Sequence, residues 1–363
     1  MSAPRVLVSG VLLGQPAGGV RRHNAELLAR VAPMLAEGGG RLAVMEGTQP
    51  VAFPLPPSIE RIQSSVPPSP VLVRATLEGR WLRKVLGATA APFDLVHLAH
   101  FPVPRHLPVP YSLTVHDLRD LQLAHTPMSR RLMAGRVIGK AVEQAGCVIT
   151  VSETVRSDLL ERFQLDPERV QVVPNAADHL PVLAREPGPD APILHVGHVE
   201  RRKNLELLLR ALAEDRDLPP LLLAGAPKAE EDERLLALAR ELGVAERITF
   251  AGPVDENQLS GLYARAACVA LPSLIEGFGI PALEAQRAGV PLCVSLTGAL
   301  REIAGPSTPA FAPDDPTDCV RALRAALATP DEALHAARER AQGFRWDDSA
   351  ARLLEAWERA VRE

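Results

Sequence analysis

Cys268-Val269-Ala270-Leu271 runs through Pro272-Ser273-Leu274-Ile275 into Glu276-Gly277-Phe278-Gly279-Ile280-Pro281-Ala282-Leu283-Glu284. The opening run is short, apolar and closed by Pro272 and Ser273, the pattern of a buried parallel strand. Gly277 and Gly279 permit backbone angles and close approaches that a side chain forbids. Pro281 suits a first helical turn, where its missing N–H costs nothing, and the helix is expected to run to Gly289. Strand, glycine loop and helix start together make a place where free N–H groups and the helix dipole favour an anion such as phosphate. Glu276 is expected in the loop and Glu284 in the first helical turn. From these residues alone, Glu284 could merely complement the dipole and Glu276 could be solvated.

Outward from that stretch, 363 residues exceed one ordinary core, so two domains are expected. The composition, 47% hydrophobic and 23% charged, is that of a globular protein without disordered or fibrous bias. The net charge of −4 divides unevenly: residues 1–185 carry 20 Lys+Arg against 15 Asp+Glu, and residues 186–363 carry 20 against 29. Cys147, Cys268, Cys293 and Cys319 show no C-x-x-C spacing and read as buried free thiols of a reducing compartment. Met1 to Val11 lacks the form of a signal peptide, and no apolar run reaches about 18 residues. A cytoplasmic protein without a membrane span is the expectation.

Short apolar runs alternate with helical patterns. In the first half they are Arg5 to Ser9, Arg41 to Met45, Leu95 to Leu98, Tyr111 to Val115, Cys147 to Val151 and Val170 to Val173. Such alternation predicts a doubly wound parallel sheet. Its first strand leads into the glycine-rich Gly10 to Gly19, then a helix from Val20 to about Ala32, ended by Pro33. The loop is not G-x-G-x-x-G, so no dinucleotide fingerprint is present. Residues 1–180 form the first expected domain and 181–192, rich in proline, a linker.

Alternation restarts at Ile193 to Val196 and continues with Leu221 to Ala224, Ile248 to Ala251, Cys268 to Leu271, Pro291 to Ser295 and Ala310 to Ala312. Asn204 is expected to cap a helix whose Leu205, Leu208, Leu209 and Leu212 share one face. Residues 193–345 form the second domain, and a last helix in 346–363 is expected to cross back to the first.

Gly197-His198-Val199-Glu200-Arg201-Arg202-Lys203-Asn204-Leu205, then Phe250-Ala251-Gly252-Pro253-Val254, then the Glu276 to Glu284 stretch resemble the nucleotide-sugar half of glycosyltransferase family 4. In the first half, Gly18-Gly19-Val20-Arg21-Arg22, Thr114-Val115-His116-Asp117, Val151-Ser152-Glu153 and Val173-Pro174-Asn175 are similar to that family's motifs, in the same order. The resemblance implies an α/β protein of GT-B fold, with two Rossmann-like doubly wound parallel-sheet domains facing a central cleft. It implies a retaining hexosyltransferase that needs no cofactor or metal, its nucleotide sugar being a substrate. Consistent with that, the one D-x-D, Asp215-Arg216-Asp217, lies in a polar connection and reads as a solvated loop.

The resemblance also implies roles. Lys203 would neutralise the donor diphosphate, whose charge grows as the glycosidic bond breaks. The family commonly has arginine where this chain has His198. Either Arg201 or Arg202 then reaches the phosphates, or His198 does, with activity sensitive to pH near about 6.5. Glu284 would accept the ribose hydroxyls. Glu276 would face the transferred sugar, with Gly277, Phe278, Gly279 and Ile280 around sugar and phosphate. Two carboxylates on one loop and helix do not flank a scissile bond as a glycosidase pair must. His116 would hydrogen-bond the donor sugar, while Asp117 could simply cap the next turn. Gly19 would approach the diphosphate, Arg22 reinforcing it. Val254 and Glu256 would contact the base, and an acid there favours guanine, so GDP-mannose ranks ahead of a UDP-sugar.

Two basic helices bear on the acceptor, which could be a glycan, a lipid-linked group or a small molecule. In Arg74 to Leu86 the residues are Leu77, Trp81, Leu82, Val85 and Leu86 beside Arg80, Arg83 and Lys84. In Arg130 to Lys140 they are Leu132, Met133, Val137 and Ile138 among four basic residues. Such helices can dock on an anionic membrane or form core, and peripheral contact with the inner membrane face is one expectation. Nucleic acid is not expected of an acidic chain without an aromatic-rich basic motif. A sugar-nucleotide 2-epimerase and a non-catalytic nucleotide-sugar binder are the competing readings.

Overall fold

The structure, a computed structural model, describes residues 3–14, 18–88, 93–123 and 126–362. Gln15, Pro16 and Ala17, within the expected glycine-rich loop, lie outside the described residues. The chain divides into two units, Met1–Asn175 with Trp346–Glu363, and Ala176–Arg345.

The first unit is built on strands β1 (Arg5–Ser9), β2 (Arg41–Glu46), β3 (Glu60–Gln63), β4 (Leu95–Leu98), β5 (Tyr111–Val115), β6 (Cys147–Thr150) and β7 (Val170–Val172). Their order is β3-β2-β1-β4-β5-β6-β7, and every pairing is parallel. Leu7, Val96, Leu113 and Val148, one from each central strand, sit in one core with almost no exposure. Side chains on both faces of these strands are buried, which is why they read as continuous apolar runs. The edge strand β3, Glu-Arg-Ile-Gln, has no such run, and sequence reading missed it. Charged, exposed residues are how a sheet edge resists further pairing.

The helices of this unit are α1 (Gly18–Glu37), α2 (Val71–Ala88), α3 (Arg119–Gln122), α4 (Met128–Gln144) and α5 (Glu153–Phe163). Contrary to expectation, α1 does not stop before Pro33 but passes through it to Glu37. An interior proline costs a helix about 3 kcal/mol. Burial of Leu27, Leu28, Val31 and Leu35 along one face offsets that cost. Ser152 caps α5, its side chain accepting the Val155 N–H.

The second unit has strands β8 (Ile193–Val196), β9 (Leu221–Ala224), β10 (Ile248–Gly252), β11 (Cys268–Leu271), β12 (Leu292–Ser295) and β13 (Ala310–Phe311), in the order β10-β9-β8-β11-β12-β13. All pairings are again parallel. Its helices are α6 (Leu205–Glu214), α7 (Glu231–Glu241), α8 (Glu256–Arg265), α9 (Ile280–Arg287), α10 (Leu300–Ala304), α11 (Pro316–Leu327) and α12 (Asp331–Gln342). The proline-rich 181–192 has neither helix nor strand. It is tied to this unit: Arg185 donates to the Ala266 carbonyl (2.8 Å) and Ser260 to the Pro181 carbonyl (2.8 Å).

Asn204 does not cap α6 through its side chain. It takes a left-handed backbone (φ 53°), and its amide donates to the Pro313 carbonyl at 2.7 Å. The last helix, α13 (Trp346–Arg362), belongs to the first unit and packs on α1. Trp346, Ala350, Leu353, Trp357 and Ala360 form its buried stripe. All four cysteines are buried and free. Among the described residues no helix is long and apolar enough to cross a membrane.

Candidate active site

In an open parallel sheet, ligands bind beyond the strand ends where the strand order reverses. In the second unit that point lies between β8 and β11. The loop after β8 begins at Gly197 (φ 141°) and presses on Gly225 (φ 150°) of the loop after β9. A Cβ on Gly225 would stand 2.0 Å from the Gly197 carbonyl oxygen, so only glycine fits there. The chain then makes one tight 3-10 turn, Arg201–Lys203, which sends Arg202 and Lys203 inward.

The loop after β11 meets that turn, the Leu274 N–H bonding the Arg202 carbonyl at 2.8 Å. Around Glu276 the two loops assemble an ion cluster. Lys203 Nζ donates to Glu276 Oε1, Ser273 Oγ donates to the same oxygen (2.8 Å), and Arg202 Nη1 reaches Oε2 at 3.2 Å. Arg202 also pairs with Glu200 at 2.8 Å, and Lys228 lies 3.5 Å from that acid. Burial alone would raise the Glu276 pKa; Lys203 and Arg202 overcome it and hold the carboxyl at about 2. Glu276 is therefore a fixed anion, only 13% exposed, clasped by two cations.

Gly279 (φ 95°) opens α9, and a Cβ there would strike Leu300 at 2.5 Å. Ile280 and Pro281 are the first helical residues. Glu284 lies one turn deeper than expected, because α9 starts at Ile280. It is not a solvated dipole partner: it is buried, accepts the Tyr263 hydroxyl at 2.7 Å and lies 3.3 Å from His179 Nε2. Burial, then Glu284, pushes the Tyr263 pKa well up, so that hydroxyl stays a donor. The Phe278 ring is buried edge-on to Phe344, 6.1 Å between centroids, and Gly277 is buried beside it.

His198 is half-buried, and its pKa falls below the ordinary 6.5 through burial and the charge of Lys228. The imidazole is neutral at pH 7, so a pH sensitivity centred near 6.5 is not what its surroundings give. Val254 is half-buried and Glu256 exposed in the first turn of α8. That helix begins with a capping box the sequence reading missed, Asp255 and Gln258 bonding reciprocally at 2.9 Å. Asp215 of the D-x-D is no free loop residue, since it pairs with Arg324 at 2.6 Å, while Asp217 is exposed. Among the described residues no three His, Cys, Asp or Glu side chains are grouped to hold a metal.

Gly19, Arg22 and His116 belong to the first unit. Gly19 is exposed in the first turn of α1, and Arg22 lies 3.2 Å from Glu26 one turn on. His116 follows β5. Its Nε2 is buried without a hydrogen-bond partner, and its ring stands edge-on to His23 at 4.8 Å. Asp117 accepts from the Arg119 backbone (3.2 Å) and side chain (2.9 Å), the local turn role. His23, absent from the sequence reading, is fixed by Asn175 at 2.9 Å, and His97 by Ser112 at 2.9 Å. Burial, above all, keeps the three imidazoles neutral: His23 falls to about 4, His97 to about 3 and His116 well below 6.5. Also unforeseen, a wholly buried Glu78 meets Ser9 and His100 (3.0 Å) where this sheet reverses order.

With this geometry in hand, comparison with known proteins is specific. The profile described as Glycosyltransferase Family 4 matches residues 17–179, and that described as Glycosyl transferases group 1 matches residues 184–344. A D-inositol 3-phosphate glycosyltransferase of Salinispora arenicola is 31% identical over 77% of this chain and 72% of its own length. A protein of the same name from Salinispora tropica is 28% identical over 97% and 84%. An MMP alpha-(1->4)-mannosyltransferase of Mycolicibacterium hassiacum is 27% identical over 74% and 66%. Among solved structures, sucrose-phosphate synthase from Thermosynechococcus elongatus superposes with a TM-score of 0.81 at 22% identity, covering 98% of both chains. WaaG, a glycosyltransferase of lipopolysaccharide biosynthesis, does so at 0.74 and 21%, covering 96% and 98%. The chain is a GT-B glycosyltransferase and belongs to glycosyltransferase family 4.

Proposed function

We propose that the enzyme moves a hexose from a nucleotide sugar held by the second unit to a hydroxyl of its acceptor, with retention at the anomeric carbon. The observation that carries this reading is the cluster of Lys203, Arg202 and Glu276 at the β8/β11 reversal. As the glycosidic bond breaks, negative charge accumulates on the departing diphosphate. Cations already in place there stabilise the transition state more than the ground state, with no metal needed for that task. Glu276, ionised at neutral pH, has no proton to give a leaving group, which argues against glycosidase-type acid catalysis. Its free lone pairs suit sugar hydroxyls. Glu284, steadied by Tyr263, is assigned the ribose. Gly277, Phe278, Gly279 and Ile280 contribute backbone to the same ligand, with His198 as a neutral donor beside them. Gly19, Arg22 and His116 are assigned to the donor from the first unit.

GDP-mannose is the donor we place first. The exposed Glu256 at the start of α8 suits guanine N–H groups, and a relative is named a mannosyltransferase. Relatives named for inositol phosphate support a small-molecule acceptor over a glycan or lipid-linked one. Peripheral membrane contact needs a changed basis: in α2, Leu82, Val85 and Leu86 are buried in the core, with Leu77 and Trp81 packed against it. The large apolar residues that α2 and α4 expose are Val71, Leu72 and Val73, and Met128, Leu132 and Met133, and the exposed basic ones are Arg80, Arg83 and Lys84 on α2 and Arg130, Arg136 and Lys140 on α4. A thermal-shift panel of GDP-, UDP- and ADP-sugars tests the donor, since a ligand of the folded state raises the melting temperature. GDP-mannose is expected to give the largest rise; a larger one from a UDP-sugar would reassign the base.

A further inference from the structure

His195 stands within β8, wholly buried in a strand otherwise made of Ile193, Leu194 and Val196. Its Nδ1 lies 3.0 Å from the Ala270 carbonyl oxygen on β11. A carbonyl only accepts, so Nδ1 carries the hydrogen and Nε2 is left with a lone pair. That Nε2 is buried and has no partner, although buried polar atoms are nearly always bonded. Burial lowers the pKa of this ring to about 4, with Lys203 adding to the shift, so the lone pair persists at neutral pH. The nearby ammonium is that of Lys203. Its Nζ and the His195 Nε2 lie 3.4 and 3.6 Å from the single point where a Cβ on Gly197 would stand. An ammonium has three N–H donors, and in this structure Glu276 takes one of them.

We propose that His195 is a positioning residue for Lys203: when sugar hydroxyls claim Glu276, the ammonium turns an N–H to His195 Nε2, which holds it against the donor diphosphate. The inference rests on the function proposed above and adds to it a residue lying beneath the ligand. His195 touches no substrate. It acts by giving Lys203 a second acceptor, so that the cation is neither drawn back onto Glu276 nor free to swing into solvent.

The test is a double-mutant cycle read by calorimetry with GDP, UDP and the matching nucleoside monophosphates. His195→Phe keeps a ring and removes the acceptor; it is expected to weaken nucleoside diphosphate binding about tenfold while changing monophosphate binding less than about twofold. His195→Gln, which retains an acceptor, is expected to recover most of the loss. With Lys203→Gln in the background, His195→Phe is expected to add nothing. Equal losses for both ligands, or losses that add in that background, would reduce His195 to core packing. Should His195→Phe fail to fold, ring nitrogen resonances of the wild-type protein decide: the Nε2 signal is expected to move on adding nucleoside diphosphate while Nδ1 stays, and an unmoved Nε2 overturns the proposal. Failure of the wild type to bind any nucleoside diphosphate overturns both this proposal and the function beneath it. Diphosphate binding weakened by Lys203→Gln but untouched by His195→Phe overturns this one alone.

Discussion

Along the sheet of the first unit the residues of interest are mostly imidazoles, with one buried carboxylate, Glu78, against Ser9 and His100 at the strand reversal. His23 and His116 meet edge to face and His97 lies on β4, all kept neutral chiefly by burial. At the corresponding edge of the second unit stand charges: Glu276 held ionised, with Lys203 and Arg202 upon it. The two sheets share parallel topology and one reversal of strand order, so architecture does not explain the contrast. The difference lies in what each edge asks of a ligand. Neutral, desolvated histidines offer directional hydrogen bonds to hydroxyls and little attraction for charge. A buried ion cluster has already met the desolvation cost of its charges, which is what the proposed diphosphate role requires of it.

Breaking the charged edge should have the largest effect. Lys203→Ala is expected to lower turnover on the order of 100- to 1000-fold, measured under saturating donor on protein shown to be folded by circular dichroism. Unchanged turnover would remove the diphosphate assignment and with it the contrast.

Acid should separate the two edges. An imidazole whose folded pKa lies below 6.5 binds fewer protons folded than unfolded. Its stabilising share is full above about 6.5 and is lost as pH falls toward 4, by about 1.4 kcal/mol per pH unit for each histidine. His23 and His97, with His116, place most of this loss in the first unit, against His195 and His198 in the second. Glu276 follows the same sign in a lower window: its depressed pKa gives stability that is full above about 4.5 and is lost as pH falls toward about 2. Hydrogen exchange at pH 5 against pH 7 is expected to show β4 and β5 losing protection before β8 and β11. The reverse order would contradict this reading.

A smaller effect sharpens the charged edge itself. Glu284→Ala should weaken nucleoside diphosphate binding about tenfold by removing one charged acceptor, read by calorimetry. Unaltered affinity for both GDP and UDP would refute the ribose role and leave Glu284 as a structural partner of Tyr263 and His179.

Most of this fold was legible because a parallel strand covered on both faces must be apolar throughout. The runs at Arg5, Leu95, Ile193 and Cys268 therefore announce themselves. Where packing outweighs local preference, reading fails: α1 continues past Pro33, and Asn204 spends its amide on Pro313 rather than on a cap. β3 escaped notice because an exposed edge needs no apolar alternation. In the site, Lys203, Glu276 and the glycines follow from local chemistry together with the family resemblance. Their union does not, since Lys203 and Glu276 lie 73 positions apart and nothing local says they pair. His195 carried one signal that could have been used, a titratable ring inside an otherwise apolar buried strand.

The most direct test is to incubate the enzyme with GDP-mannose, UDP-sugars and ADP-sugars, with and without phosphorylated polyols, and to follow free nucleoside diphosphate and product by mass and anomeric configuration. Acceptor-dependent release of nucleoside diphosphate, equal in amount to a glycoside of retained configuration and abolished with Lys203→Ala, is the predicted result. Recovery of an epimerised nucleotide sugar, or binding without release for every donor and acceptor, would contradict it.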